Sequence, residues 1–260
     1  MITIRSHAEL LKLEEASRIV LETLEVVEKA VVPGVSTEEL DRLAEAEIRR
    51  QGARPAFIGY RGYPKTLCTS VNDEVVHGIP GRRTLREGDV VGIDCGAVFA
   101  GYFGDAARTI AVGRIAPETE KLIAVTRQAL AAGIAAARPG GRVSDIGAAV
   151  EAVALVHGYG VVRDFVGHGV GTALHEEPQV PNYGPGGRGS LLKAGMVLAI
   201  EPMFNQGRAE VSVDPDGWTV RTRDRSTSAH FEYTIAVESH GAVILGTGSL
   251  SGLRPAAVGA

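Results

Sequence analysis

The sequence predicts an α+β fold built as a doubled unit, with one curved antiparallel sheet covered by four helices. Two observations carry that expectation. Segments with helical apolar spacing come in two pairs, and strand-like segments ending in carboxylates recur in the same order about 106 residues further along the chain. A length of 260 residues suffices for one large core, and a composition that is 45% hydrophobic and 22% charged is that of an ordinary globular domain. A single domain spanning 1–260 is therefore expected, with the repeat at approximately 6–113 and 115–240.

Leu13, Ala16, Val20, Leu24 and Val27 recur at three- and four-residue intervals, which predicts the first helix. After Pro33-Gly34, Ser36 and Glu39 stand in capping-box positions for a second helix carrying Leu40, Leu43, Ala44 and Ile48 and stopped by Gly52. The second half repeats this pair. Leu122, Val125, Ala129 and Ala132 mark its longer helix; Pro139-Gly140, then Ile146, Val150, Val153, Ala154 and Gly158 mark its shorter one.

The strand segments match as well. LREGDVVGID at 85–94 corresponds to LKAGMVLAIE at 192–201, and each ends in a carboxylate. HGIP at 77–80 resembles HEEP at 175–178, while Asp105 and the TIAV at 109–112 resemble Glu232 and the TIAV at 234–237. Offsets drift from 98 to 127, as loop insertions produce, and the Pro/Gly-rich PQVPNYGPGGRGS after His175 is one such insertion. Halves related by a pseudo-twofold would bring matched carboxylates to the axis from both sides.

A formal net charge of −4 gives no general attraction to DNA, RNA or anionic membrane. Arg221, Arg223 and Arg225 are expected on a solvated face. Two cysteines, Cys68 and Cys95, make neither a disulfide framework nor a thiolate zinc motif. Glu9, Glu14 and Glu15 occupy the stretch where a secretory signal would be apolar, and no uncharged run reaches membrane-spanning length. A cytoplasmic protein is expected.

Chemistry concentrates in a few polar residues within strands. VGIDCGAVFAGYFGDAARTIAV reads as a hairpin turning at Ala100-Gly101, which would face Asp94 to Ala107 and Gly96 to Asp105, with both aspartates on one face. His168, Glu201 and Glu232 supply further polar groups at strand positions. Carboxylates among apolar neighbours need countercharge, because burying uncompensated like charges costs many kcal/mol or forces protonation. Two divalent cations would neutralise four carboxylates. Oxygen donors with one imidazole suit Mn²⁺, Fe²⁺, Co²⁺ or Zn²⁺, and a pair of such ions sharing a water lowers its pKa for hydrolysis.

The strings YRGYPKTLCTSVNDEVVHGIP, GIDCGAVFAGYFGDAARTIAVG, GHGVGTALHEEP, LAIEPM and DGWTVRTRDRSTSAHFEYTIAV cover most of the chain, and with them the sequence resembles the type I methionine aminopeptidases, metallopeptidases of the pita-bread fold. The resemblance implies removal of N-terminal methionine from nascent or short peptides when the second residue is small. It implies two metals bridged by Asp105 and Glu232, with Asp94 on one and His168 and Glu201 on the other. His175 would hydrogen-bond the scissile carbonyl, His77 the peptide nitrogen beyond the cut, and Glu201 would shuttle a proton to the leaving amine. Phe57, Tyr60, Tyr63, Cys68, Leu174 and Trp218 would form the methionine pocket. Phe57 departs from the smaller residue of many relatives and bears on pocket width.

Prolidases share this fold and ligand set, but they usually carry an additional N-terminal domain. Type II enzymes insert a helical subdomain for which the interval between Glu201 and Glu232 leaves no room. Scaffold proteins of the same fold do not need the ligands retained here. A monomer with transient ribosome contact is expected. Strand alternation in SAHFEYT further places His230 on the face of Glu232, with Phe231 turned away.

Overall fold

The structure is a computed structural model that describes residues 2–250. The first half contains α1 (His7–Ala30), α2 (Thr37–Arg50), β1 (Arg54–Pro55), β2 (Leu67–Val71), β3 (Glu74–Val76), β4 (Val90–Phe99) and β5 (Tyr102–Ala111). The second contains α3 (Pro117–Ala136), α4 (Val143–His157), β6 (Gly160–Val161), β7 (Gly167–Gly169), β8 (Glu176–Val180), β9 (Val197–Ile200), β10 (Met203–Asn205), β11 (Val211–Val213), β12 (Val220–Thr222), β13 (Ser228–His230), β14 (Glu232–Glu238) and β15 (Gly241–Ile244).

The helices begin where their caps dictate. Ser36 and Glu39 close a reciprocal capping box on α2, and Ser6 with Glu9 does the same on α1. On α4 the Asp145 carboxylate accepts from the Arg142 backbone N–H, and Gly158 closes the helix in the left-handed conformation.

Nine strands form one antiparallel sheet with the order β1-β4-β5-β14-β9-β7-β8, β2 joining at β4 and β15 at β14. Its centre is the pairing of β5 with β14, flanked by β4 and β9, so the matched segments of the two halves meet back to back. The β4–β5 hairpin has the expected register: Asp94 opposite Ala107, Gly96 opposite Asp105. Ala100 and Gly101 both have positive φ, which matches the right-handed twist of the hairpin strands.

Alternation then sorts the residues by face. Val91, Ile93, Cys95 and Ala106 pack with Ile19, Leu24 and Leu40 of α1 and α2, while Leu198, Ile200, Ile235 and Val237 pack with Leu130 and Ile146 of α3 and α4. Each large aliphatic side chain fully removed from water contributes roughly 1.5–3 kcal/mol. Asp94, Asp105, Glu201, Glu232 and His168, opposite Ala199, therefore face away from the helices.

Two small sheets, β13-β10-β6 and β11-β12-β3, lie outside the main one and were not foreseen from the sequence. Arg221 also differs from expectation. It is not on a solvated face: its guanidinium, with 21% of the side chain exposed, binds Asp73 at 2.9 Å, Glu74 at 2.8 Å and Asp214 at 2.6 Å. Arg223 and Arg225 are exposed as expected. Nor is PQVPNYGPGGRGS wholly a loop, because Pro178–Val180 continue β8 and the remainder folds over α4 at Gly147, where a Cβ would collide with the Pro181 and Tyr183 backbone.

Among the described residues, no helix is long and apolar enough to cross a membrane.

Candidate metal centre and active site

Four carboxylates and one imidazole converge beside the central strand pair. Glu232 opens β14 opposite Ala107, and Asp105 sits on β5 with its backbone tied to that strand by Thr234, whose hydroxyl donates to Asp105 O at 2.8 Å and accepts from Asp105 N at 3.2 Å. Asp94 comes from β4, and Glu201 follows β9. His168 lies on β7, and its Nε2 is 3.4 Å from the Glu201 carboxylate. The glycines beside His168 are steric necessities: a Cβ on Gly167 would strike Ala199 O, and one on Gly169 would strike Glu177 O.

Oxygens of Asp94, Asp105 and Glu232 are buried without a hydrogen-bond partner. Burial pushes the Asp94 carboxyl up to about 7. Burial first, and repulsion from neighbouring carboxylates second, drives Asp105, Glu201 and Glu232 well above the usual carboxylate range. Ligand atoms of Asp105, His168 and Glu232 lie within 4.8 Å of one another. Orphaned oxygens, mutual repulsion and an imidazole nitrogen at one spot fit the donor set of divalent cations. His168 Nδ1 donates to Gly169 O at 3.0 Å, which leaves Nε2 with a lone pair for a cation.

This cluster forms the floor of a cavity of about 130 Å³ also lined by Phe57, Tyr60, Arg61, His77, Leu174, His175 and Trp218. One wall is apolar. Phe57 has room there because Gly96 on β4 carries no side chain: a Cβ at Gly96 would come within 2.6 Å of the Phe57 ring. Tyr63 and Cys68 belong to the same buried apolar cluster as Phe57 and Leu174, while Phe57, Tyr60, Leu174 and Trp218 line the cavity itself. The Tyr63 hydroxyl is held by donation to Leu67 O at 2.9 Å and Gly78 O at 3.0 Å, and its ring meets Trp218 edge-on.

The two matched histidines frame the cavity. His77 takes a positive φ of 60°, which L-residues rarely adopt, and packs edge-on against Phe165 at 5.4 Å. His175 is stacked on Tyr60 at 5.3 Å and lies 4.1 Å from the His168 ring. Burial holds His77 neutral with its pKa down to about 4. Burial and then the Arg61 charge bring His175 to about 4.

His230 is buried beside the floor, its Nε2 3.8 Å from Glu232 and unpartnered. Phe231 turns to the helix face. Thr109 clamps the His230 backbone, donating to its O at 2.9 Å and accepting from its N at 2.8 Å. Sequence reading did not single out Arg61 or Phe165; the only signal for Arg61 was its place inside YRGYP.

An antiparallel sheet whose two halves deliver acidic residues and one histidine to a shared cavity floor suits a metal-dependent hydrolase, and the profile of metallopeptidase family M24 matches residues 12–239: the chain belongs to that family. Within it, the chain groups with the methionine aminopeptidases. It is 50% identical to the methionine aminopeptidase of Clostridium acetobutylicum over 94% of this chain and 98% of that protein, and 49% identical to methionine aminopeptidase 1 of Bacillus subtilis over 94% and 99%. The crystal structure of methionine aminopeptidase from Rickettsia prowazekii superposes with a TM-score of 0.93 at 42% identity, covering 95% of this chain and all of that one. Prolidase from Pyrococcus furiosus, at 24% identity and a TM-score of 0.76, shares the fold.

Proposed function

We propose that this chain hydrolytically releases N-terminal methionine from nascent or short peptides, fastest when the second residue is small. The observation that carries this reading is a floor of four carboxylates, Asp105 and Glu232 buried and Asp94 and Glu201 half-buried, with His168, beneath a small cavity with one apolar wall. The whole chain serves as one catalytic unit with an internal repeat.

Asp105 and Glu232, from the paired central strands, would bridge two divalent ions, Asp94 holding one and His168 with Glu201 the other. Bound Mn²⁺, Fe²⁺, Co²⁺ or Zn²⁺ supplies Lewis-acid polarisation and a lowered water pKa. The chain's own residues do the rest. Phe57, Tyr60, Leu174 and Trp218 take the methionine side chain, and Tyr63 and Cys68 back that wall. His175 donates to the scissile carbonyl oxygen as it gains charge, and His77 contacts the peptide nitrogen beyond the cut. The Glu201 carboxylate takes a proton from the attacking water and returns it to the leaving amine. The same reading places the protein in the cytoplasm as a monomer, meeting nascent chains through transient ribosome contact.

Metal-reconstituted protein assayed on Met-Ala-Ser and on an X-Pro dipeptide tests the substrate. Methionine release from the first, lost on chelation, is expected. Efficient X-Pro cleavage with no methionine release would move the chain to the prolidase branch.

A further inference from the structure

Two histidines of the site stand with their rings 4.1 Å apart, and each commits one ring nitrogen to a hydrogen bond. For His168 the polarity is forced. A carbonyl oxygen only accepts, so Nδ1 carries the proton toward Gly169 O and Nε2 keeps a lone pair. For His175 the partner of Nδ1 is the Tyr60 hydroxyl at 2.8 Å, a group that can donate or accept.

Relative acidity decides that case. A phenol, with an ordinary pKa of roughly 10, is a far stronger acid than the N–H of neutral imidazole, and an imidazole nitrogen is a far better base than a phenol oxygen. The hydroxyl donates. It has no other partner among the described residues, and the two rings stack at an interplanar angle of 22°, which fixes their orientation as well as their polarity. The backbone brings Tyr60 there through a sharp loop: Gly59, Arg61 and Gly62 all have positive φ.

We infer that Tyr60 is a positioning residue that holds His175 as the tautomer protonated on Nε2, opposite to that of His168. One ring then offers a lone pair to a cation while its neighbour offers an N–H to the scissile carbonyl oxygen. Neutral imidazole has a single N–H. Were that proton on Nδ1, the developing negative oxygen would face a second lone pair. The inference rests on the role proposed above for His175, and it gives Tyr60 a task distinct from walling the methionine pocket.

Tyr60→Phe keeps the ring and removes only the hydroxyl. Nitrogen-15 NMR of labelled histidines in zinc-loaded, diamagnetic protein should show His175 protonated on Nε2, with the shift of a hydrogen-bonded acceptor on Nδ1. Tyr60→Phe should lose that acceptor shift while the His168 signals stay. On Met-Ala-Ser its kcat should fall by about 3- to 10-fold, the range of one hydrogen bond, with KM changed less than about 2-fold. In a His175→Ala background the same substitution should have no further effect on kcat. A proton on His175 Nδ1 in the wild type, or an unchanged kcat in Tyr60→Phe, would overturn the inference. If His175→Ala itself left kcat unchanged, the role of His175 would fall first and the inference with it. Absence of methionine release by the wild type would instead defeat the substrate assignment.

Discussion

At the scale of single residues, the carboxylates that make the site useful make the metal-free protein less stable. Their folded pKa values lie above the unfolded ones, Asp94 at about 7 and the other three well above the ordinary carboxylate range. A group raised in this way favours the folded state fully below its unfolded pKa, about 4, and the contribution is lost as pH rises through the folded value. Metal-free protein should therefore lose thermal stability between about pH 5 and 8, and saturating Mn²⁺ should restore more stability at pH 8 than at pH 5 because cations displace protons. Asp105→Asn removes one buried charge at the crowded centre. It should raise the metal-free Tm at pH 8 while abolishing activity, since an amide cannot bridge two cations. A metal-free Tm equal to or below wild type, read by calorimetry, would contradict the repulsion on which the site reading stands.

At the scale of elements, the site depends on close backbone approach at the sheet's far side. β7 contributes three residues, Gly-His-Gly, between β8 and β9, and both glycines stand where any side chain would meet a neighbouring carbonyl. Gly167→Ala should push β7 off β9 and carry His168 with it. The expected cost is about 1–3 kcal/mol of stability together with weaker cation binding, measured by denaturant unfolding and metal titration on the same protein. Stability and metal affinity both at wild-type level would show that β7 yields without moving the imidazole. The sequence announced this element only as glycines beside a histidine; the reason for them is the spacing of three strands, which no local pattern encodes.

At the scale of the whole molecule, Arg221 links segments far apart in sequence. Its three carboxylate partners come from the β2–β3 turn, from β3, and from the β11–β12 hairpin that carries Trp218 to the cavity wall. Removing Arg221 takes the cation from Asp214 and unties the three segments, while Asp73 keeps Arg225 and Glu74 keeps Arg83. Arg221→Ala should cost about 1–3 kcal/mol, discounted for partial exposure, and should raise KM for methionyl peptides more than it lowers kcat as the Trp218 wall loosens. Unchanged KM would mean that the hairpin holds its place without the network.

Much of the fold was legible in local pattern. Apolar spacing and caps marked the four helices, a two-residue turn set the register of Asp94 against Asp105, and the matched carboxylates pointed to an axis between the halves. Alternation likewise put His230 on the face of Glu232, and the ring lies 3.8 Å away. These features depend on residues close in sequence, whose geometry the backbone period fixes. Tertiary structure alone decided the rest: that the Tyr63 hydroxyl binds backbone carbonyls, that Arg221 is bound rather than solvated, that Arg61 lines the cavity, and that Phe165 packs against His77. It also decided that Tyr60, and not Tyr63, meets His175. Tyr60 and Tyr63 belong to one short glycine-punctuated loop and read alike in sequence. The backbone carbonyls of Leu67 and Gly78 take one hydroxyl and leave the other free for an imidazole 115 residues away.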